Sequence, residues 1–245
     1  MTSTVDTEVV QPPGAGRLEG ARLRCTIAAM VLAPWGFVVA NAGFAWIQLH
    51  GGRDEPGTAV LAMVDAFPLL SRVIITAVLL GCLLVVPAVL GVMHLVRRSW
   101  PAFVGGSLMV AGYVCYFGVI MTNALYVAMA EGRGPRDVYA DVIDRSEAQG
   151  WTTWVFLLFV LGNLVGTALL AVGLLRVRTV PRWAGFGLLA WPVLHVTGLL
   201  VGSEVLEVVG ALAQAAAFAG LATLVRAGGS RGARTPDPLL VRQVL

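Results

Sequence analysis

The sequence has few charged residues and no lysine. Asp, Glu, Lys and Arg together make up 13% of its 245 residues, and all 17 basic residues are arginine. Soluble domains carry about 25% charged residues, so this composition does not fit a soluble domain of this size. Arginine without lysine is typical of coding in a very GC-rich genome, so the net charge of +3 does not by itself indicate an anionic partner. Basic residues do not alternate with aromatic ones in any patch, which argues against nucleic-acid binding.

Cysteine is scarce, and the common catalytic and cofactor motifs are missing from the sequence. The three cysteines, Cys25, Cys82 and Cys115, lie in apolar runs without CxxC spacing. We interpret them as small hydrophobic residues rather than a disulfide framework or a zinc site. The sequence has no phosphate-binding loop, no HExxH, no GxSxG and no CxxCH. We therefore expect no metal and no cofactor, and nothing supports catalysis of the soluble-enzyme type.

Long apolar runs dominate what is present. Hydrophobic residues make up 58% of the chain, and the mean hydropathy is +0.82. A helix of about 20 apolar residues crosses a bilayer. Such runs lie at 25–49, 73–96, 102–130, 151–175, 183–201 and 205–225. The sequence thus predicts an all-α polytopic transmembrane bundle of about six spans, one domain at 25–226. Disordered tails are predicted at 1–24 and 227–245.

The arginines are unevenly divided between the two ends of the predicted bundle. The two tails, the turns at 97–101 and 176–182, and Arg226 at the end of the last span account for 12 of the 17. The opposite side holds the other five: Arg53, Arg72, Arg133, Arg136 and Arg145. Basic residues near span ends are retained on the cytoplasmic side. We therefore predict a multi-pass protein of the cell (plasma) membrane with both termini in the cytoplasm.

Two connections on the predicted outer side are long. The stretch 59–70 is apolar but too short to span, and it carries Asp65 and Pro68. It is expected to lie in the membrane interface or to re-enter the bundle. Residues 131–150 form the most hydrophilic loop of the chain.

Two further patterns concern packing and repetition. The segment from Leu80-Gly81 to Pro101 is similar to the segment from Leu161-Gly162 to Pro181. This indicates a tandem duplication of a helical hairpin, although convergent turn chemistry explains the similarity almost as well. Small residues four apart, as in Gly162-xxx-Gly166, favour close helix packing, either within the bundle or between two copies.

The turn Val180-Pro181-Arg182-Trp183-Ala184-Gly185 resembles one that is frequent in uncharacterised bacterial (actinobacterial-type) multi-pass membrane proteins. In those families a Leu/Gly-rich helix runs into a Pro-Arg-Trp-x-Gly motif. The resemblance implies membrane location but no activity. The C-terminal peptide from Gly232 resembles peptides translated out of stable-RNA genes, so residues from 228 onward are interpreted as possible read-through sequence.

Polar residues inside the spans are the main functional signal, because each is unfavourable in hydrocarbon and is usually turned inward. Asn41, Asn123 and His195 lie roughly 9–12 Å below the predicted outer edge at about 1.5 Å per residue. The cytoplasmic half of the spans is almost purely apolar. This pattern predicts a cavity that is open to the outside. Its candidate ligand-binding residues are Asn41, Asn123, Asn163, Gln214, Trp35 and Trp191.

Three ionisable residues are candidates for catalysis. Glu204 and Glu207 are three residues apart and share one face of the last helix, where two carboxylates would raise the pKa of one of them. Carboxylates in a first helical turn also favour its positive end, so the pair has an interfacial interpretation as well. His195 follows Pro192, and a proline inside a helix leaves one backbone carbonyl of the preceding turn without its hydrogen bond. The histidine would satisfy that carbonyl, so a packing role for His195 is as reasonable as a catalytic one.

Three classes of function remain, in order of preference. The first is a membrane protein that binds a ligand or partner at its outer face. Its expected partners are the lipid bilayer and a lipophilic small molecule. The second is an intramembrane enzyme, such as an isoprenoid cyclase with a Glu proton donor. Its aromatic pocket would come from Trp35, Tyr113, Tyr116, Phe117 and Trp191. The third is a transporter, which the apolar cytoplasmic half disfavours.

Overall fold

The computed structural model describes residues 15–232, and within this range the chain is helical without strands. Nine α-helices and one π-helical segment follow each other in the described range: α1 (Ala15–Leu49), α2 (Gly57–Ala66), α3 (Pro68–Leu95), α4 (Trp100–Glu131), α5 (Arg136–Glu147), α6 (Gly150–Val160), the π segment (Leu161–Gly166), α7 (Thr167–Leu175), α8 (Arg182–Val201) and α9 (Glu204–Gly232).

Six helical stretches are long and apolar enough to cross a membrane. They are Leu18–Leu49, Pro68–Leu95, Trp100–Glu131, Gly150–Leu175, Arg182–Val201 and Glu204–Ala227. Their positions agree with the six predicted runs, so the prediction of an all-α, multi-pass membrane bundle is confirmed. The fourth span, Gly150–Leu175, comprises α6, the π segment and α7.

The spans are arranged as a ring in chain order. Each span packs on the one before it and the one after it, and α1 closes the ring by packing on α9. Met30 of α1, Val89 of α3, Met109 of α4, Leu188 of α8 and Phe218 of α9 belong to one buried cluster. The core is therefore shared by the whole ring rather than by one hairpin.

Glycines bring α4 and the fourth span into backbone contact. A Cβ atom added to Gly112 would lie 2.7 Å from the Cα atom of Gly162, and one added to Gly105 would lie 2.6 Å from the carbonyl oxygen of Gly166. Any side chain at these positions would collide with the facing backbone, so only glycine permits this approach. Small residues let membrane helices pack by their backbones in this way. The Gly162-xxx-Gly166 pair thus serves packing within the bundle. The predicted hairpin duplication stays a prediction.

The first and last helices are longer than the predicted spans. Helix α1 begins at Ala15, where the sequence predicted a tail up to residue 24, and α9 continues to Gly232 instead of ending at 226. The extension at 15–24 holds three arginines and two alanines, which favour the helix, so α1 begins before the apolar run. The extension at 227–232 is rich in glycine, and helix propensity does not explain it. Residues 1–14 and 233–245, with most of the suggested read-through peptide, lie outside the described range.

Helices α2 and α5 pack on each other at one end of the ring, and we name this pair the cap. Val60, Leu61 and Val64 of α2 bury against Ala140 and Ile143 of α5 and against the end of α4. The stretch 59–70 therefore comprises most of α2 and the start of α3, and its predicted position relative to the membrane stays a prediction. The hydrophilic loop contains an amphipathic helix that sequence reasoning missed.

Polar contacts fasten the cap at its edges. The amide of Gly57 donates to Asp144 Oδ1 at 2.7 Å, and Arg136 lies 2.7 Å from the carboxylate of Asp65. Arg72 at the start of α3 pairs with Glu131 at the end of α4, at 2.6 Å. Both ion pairs are exposed, so each contributes at most about 1 kcal/mol, and apolar burial is the main source of cap stability.

Candidate functional site

The fourth span changes from α-helical to π-helical geometry near its middle. The π segment covers Leu161–Gly166 and buries Gly162, Asn163 and Gly166. Short π segments inside α-helices occur frequently at functional sites. Here the two glycines lie against the backbone of α4, and the amide of Asn163 is held inside the ring, 4% exposed.

Asn163 joins three spans through one oxygen atom. Its Oδ1 accepts hydrogen bonds from the Tyr113 hydroxyl at 3.0 Å and from Trp191 Nε1 at 3.0 Å. Indole N–H is a donor only, so the atom that faces Trp191 must be the amide oxygen. Tyr113 therefore donates as well.

His195 connects this group to a buried carboxylate. Its ring stacks on Trp191 one helical turn earlier, with centroids 4.9 Å apart, and its Nδ1 lies 2.9 Å from Glu207 Oε2 on α9. Nδ1 lacks a well-aligned hydrogen bond among the described residues. The two groups are therefore in ion-pair contact without the geometry of a good hydrogen bond, and charge attraction acts only when His195 is protonated.

Two buried polar atoms near this network make no well-aligned hydrogen bond in the described part of the chain: Gln214 Nε2, whose side chain nonetheless interacts with the Tyr113 hydroxyl, and Thr167 Oγ1. Gln214 is 2% exposed and lies beside the Tyr113 hydroxyl. Thr167 is fully buried and lies four residues after Asn163, on the same helix face. Unpaired polar groups in an apolar interior are rare because each loses its hydration without compensation.

Aromatic rings line the other side of the network. Phe37 packs on Tyr113 with ring centroids 4.7 Å apart, and Tyr113 lies edge-on to Phe159 at 6.3 Å. Tyr116 stacks on Phe159 at 3.9 Å. We refer to this group of residues inside the ring of helices as the ring site. It comprises Tyr113, Asn163, Trp191, His195, Glu207 and Gln214, together with the aromatic side chains beside them.

The structure brings five of the predicted site residues together: Asn163, Trp191, His195, Glu207 and Gln214. The sequence did not predict that these residues from different helices would meet, because it does not give the rotation of each helix about its axis. Tyr113 was predicted only as an aromatic wall, and Thr167 was not singled out. Thr167 could have been found from its position four residues after Asn163, which places the two on the same face of a helix.

The other predicted residues lie elsewhere. The Asn41 amide donates to the carbonyl of Phe37 in its own helix, at 2.8 Å, and Trp35 is 49% exposed on the outside of α1. Asn123 and Glu204 are partly exposed. The predicted cavity that is open to the outside stays a prediction.

An acidic groove of about 430 Å³ lies at the edge of the cap, between Glu55, Pro56, Asp144 and Glu147. Burial raises the pKa of the Glu147 carboxyl, the nearby Glu55 and Asp144 raise it further, and Tyr126 partly offsets the effect. Within residues 15–232, no three His, Cys, Asp or Glu side chains are arranged so that they could hold a metal ion, those of this groove included.

Comparison with models of known protein families, with curated proteins and with solved structures finds no match to this chain. The resemblance of the Pro-Arg-Trp-x-Gly turn therefore assigns no family, and function has to be argued from the ring site.

Proposed function

We propose that this chain is a multi-pass protein of a bacterial cell membrane that binds a small lipophilic molecule inside its helix ring. Both termini are placed in the cytoplasm. The arginine-rich turns at 97–98 and 176–182 support this orientation, since they lie at the end of the ring opposite the cap.

The observation that carries the proposal is the convergence of polar side chains at one level of an apolar ring. They come from α4, the π segment, α8 and α9, and Gln214 Nε2 makes no well-aligned hydrogen bond among the described residues. Burying such groups lowers stability, and violations of good packing concentrate at functional sites. A molecule with one polar group would restore the missing hydrogen bonds.

The test is identification of what co-purifies with the protein. The His-tagged protein is extracted in a mild detergent, and its organic extract is analysed by mass spectrometry. We expect one small lipophilic compound to be enriched with the wild type and depleted at least about fivefold with Gln214→Leu, since a lost buried hydrogen bond is worth about 1 kcal/mol or more. Gln149→Leu, which changes an exposed amide outside the ring, is the matched control.

Extracts that are identical for the wild type and both variants would contradict the proposal. The elution profile of each variant is recorded first, so that misfolded protein is excluded from the comparison.

The contact between His195 and Glu207 favours a second candidate, an intramembrane enzyme that transfers a proton. Glu207 is 7% exposed, whereas Glu204 is partly exposed at the helix start. Glu207 would protonate one alkene of a linear isoprenoid, and a second alkene of the same molecule would attack the resulting carbocation to close a ring. Return of a proton to the Glu207 carboxylate would then release a cyclic isomer of equal mass and restore the acid.

The assay supplies a linear polyprenyl alcohol to membranes that contain the protein and follows the cyclic isomer by chromatography. Glu207→Gln should abolish product formation, and Glu204→Gln should leave it largely intact. Equal activity of both variants would remove Glu207 as the acid. Absence of product with the wild type would exclude this substrate class.

A further inference from the structure

We propose that the ring site binds an organic cation, a protonated or quaternary amine, with Glu207 as its counter-charge. The inference rests on the proposed function and specifies the chemistry of the ligand.

The charges around the ring site favour a cation and disfavour an anion. Glu207 is buried inside the ring, and every arginine whose side chain is described is exposed. A carboxylate or phosphate ligand would thus meet Glu207 without a guanidinium to offset the repulsion. An ionised group inside a membrane needs a partner of opposite charge. Among residues 15–232, the partner in contact with Glu207 is His195, at 2.9 Å.

His195 already occupies the position of a bound cation. Its ring lies 4.9 Å from the centre of Trp191 and touches the carboxylate of Glu207. An ammonium group bound by an aromatic face and a carboxylate makes the same two contacts, since a cation–π interaction acts within about 6 Å of the ring centroid. The hydrogen bond from Trp191 to Asn163 fixes the indole in the orientation that presents this face.

Access to the pair is through His195. Its side chain is 22% exposed, whereas that of Glu207 is 9% exposed. Glu207 is also only three residues from the start of α9 at the cap end, roughly 5 Å along the helix axis. A ligand cation therefore approaches from this end and displaces the imidazole from the carboxylate.

The experiment compares two probes of the same shape. Benzyltrimethylammonium and neopentylbenzene differ only in the charged nitrogen, which is a carbon in the neutral compound. Isothermal titration of the purified protein in detergent should give binding of the cation at least about tenfold tighter than that of the neutral probe. A tenfold ratio corresponds to about 1.4 kcal/mol, within the range of a desolvated cation–π contact.

Variants at Glu207 test the counter-charge. Glu207→Gln should weaken binding of benzyltrimethylammonium at least about tenfold, and Glu207→Asp, which keeps the charge, should retain most of it. Glu19→Gln, an exposed carboxylate on α1, should match the wild type. Should Glu207→Gln fail to fold, the comparison of the two probes on the wild type still decides the question.

Equal affinity for the two probes, no binding of the cation, or undiminished binding to folded Glu207→Gln would each overturn the cation inference. The small-molecule function would survive these results if an uncharged compound co-purifies with the wild type but not with Gln214→Leu. It fails separately if no such compound is found.

Discussion

Nδ1 of His195 on α8 lies 2.9 Å from Oε2 of Glu207 on α9, and the turn between the two helices produces this contact. Gly202 closes α8 with φ +66°, a left-handed conformation that favours glycine. Gly198 has no side chain between the helices: a Cβ atom there would lie 3.2 Å from Glu207 Cγ. The hairpin therefore places the acid and the base on facing turns.

The first prediction concerns membrane orientation. In a background without Cys25, Cys82 and Cys115, a cysteine at position 136 should react with an impermeant maleimide on intact cells, and one at 178 should react only after lysis. Arg136 begins α5 in the cap, and Arg178 lies in the turn at the other end. The reverse labelling pattern would invert the orientation.

Asn163→Leu should destabilise the bundle. The change removes the side-chain oxygen of Asn163, and the Tyr113 hydroxyl and Trp191 Nε1 both lose their hydrogen-bond acceptor. Hydrogen bonds between membrane helices are worth about 0.6 kcal/mol on average and up to about 1.7, so two of them predict a loss of about 1–3 kcal/mol in the free energy of unfolding by SDS titration. Asn41→Leu, which loses only a bond to its own helix backbone, should change stability less. Equal losses would mean that Asn163 does not couple the spans.

Two glycines of α4 should respond oppositely to alanine. At Gly112 a Cβ would lie 2.7 Å from Gly162 Cα, while at Gly118 it would meet nothing within 4 Å. Gly112→Ala should lower the free energy of unfolding by about 1–3 kcal/mol through overpacking. Gly118→Ala should be neutral or stabilise by at most about 1 kcal/mol, through helix propensity. The same titration measures both, and a neutral Gly112→Ala would contradict the close backbone approach.

The cap should become less stable as the pH rises. Burial raises the pKa of Glu147 above the ordinary value of 4.5. A carboxyl whose pKa is raised in the folded state binds its proton more tightly when the protein is folded. Its contribution to the free energy of unfolding is therefore full below pH 4.5, and it is lost as the pH rises through the folded-state pKa. Glu147→Gln, which resembles the protonated form, should slow amide hydrogen exchange in α5 at neutral pH.

In the same exchange experiment, the pH dependence of α5 protection, after correction for intrinsic rates, should be smaller in Glu147→Gln than in the wild type. Asp137→Asn, which changes an exposed carboxylate on the same helix, is the control. An unchanged pH dependence in Glu147→Gln would place the responsible group elsewhere.

By itself, the sequence determined the class of protein, the number of its spans and their approximate positions. Apolar runs of spanning length are a local property, because in hydrocarbon each helix satisfies its own backbone hydrogen bonds without help from its neighbours. For the same reason, the polar residues inside the spans, Asn163, His195 and Gln214 among them, could be recognised before any fold was known.

Only the tertiary structure decided which of these residues meet. Asn41 and His195 have similar predicted depths, yet Asn41 bonds to its own helix while His195 reaches Glu207. The difference depends on the rotation of each helix about its axis, which is fixed by packing between helices that are far apart in the chain, such as Gly112 against Gly162. The cap was equally out of reach, since Val64 and Ile143 gain their burial only from each other's helix and from the end of α4.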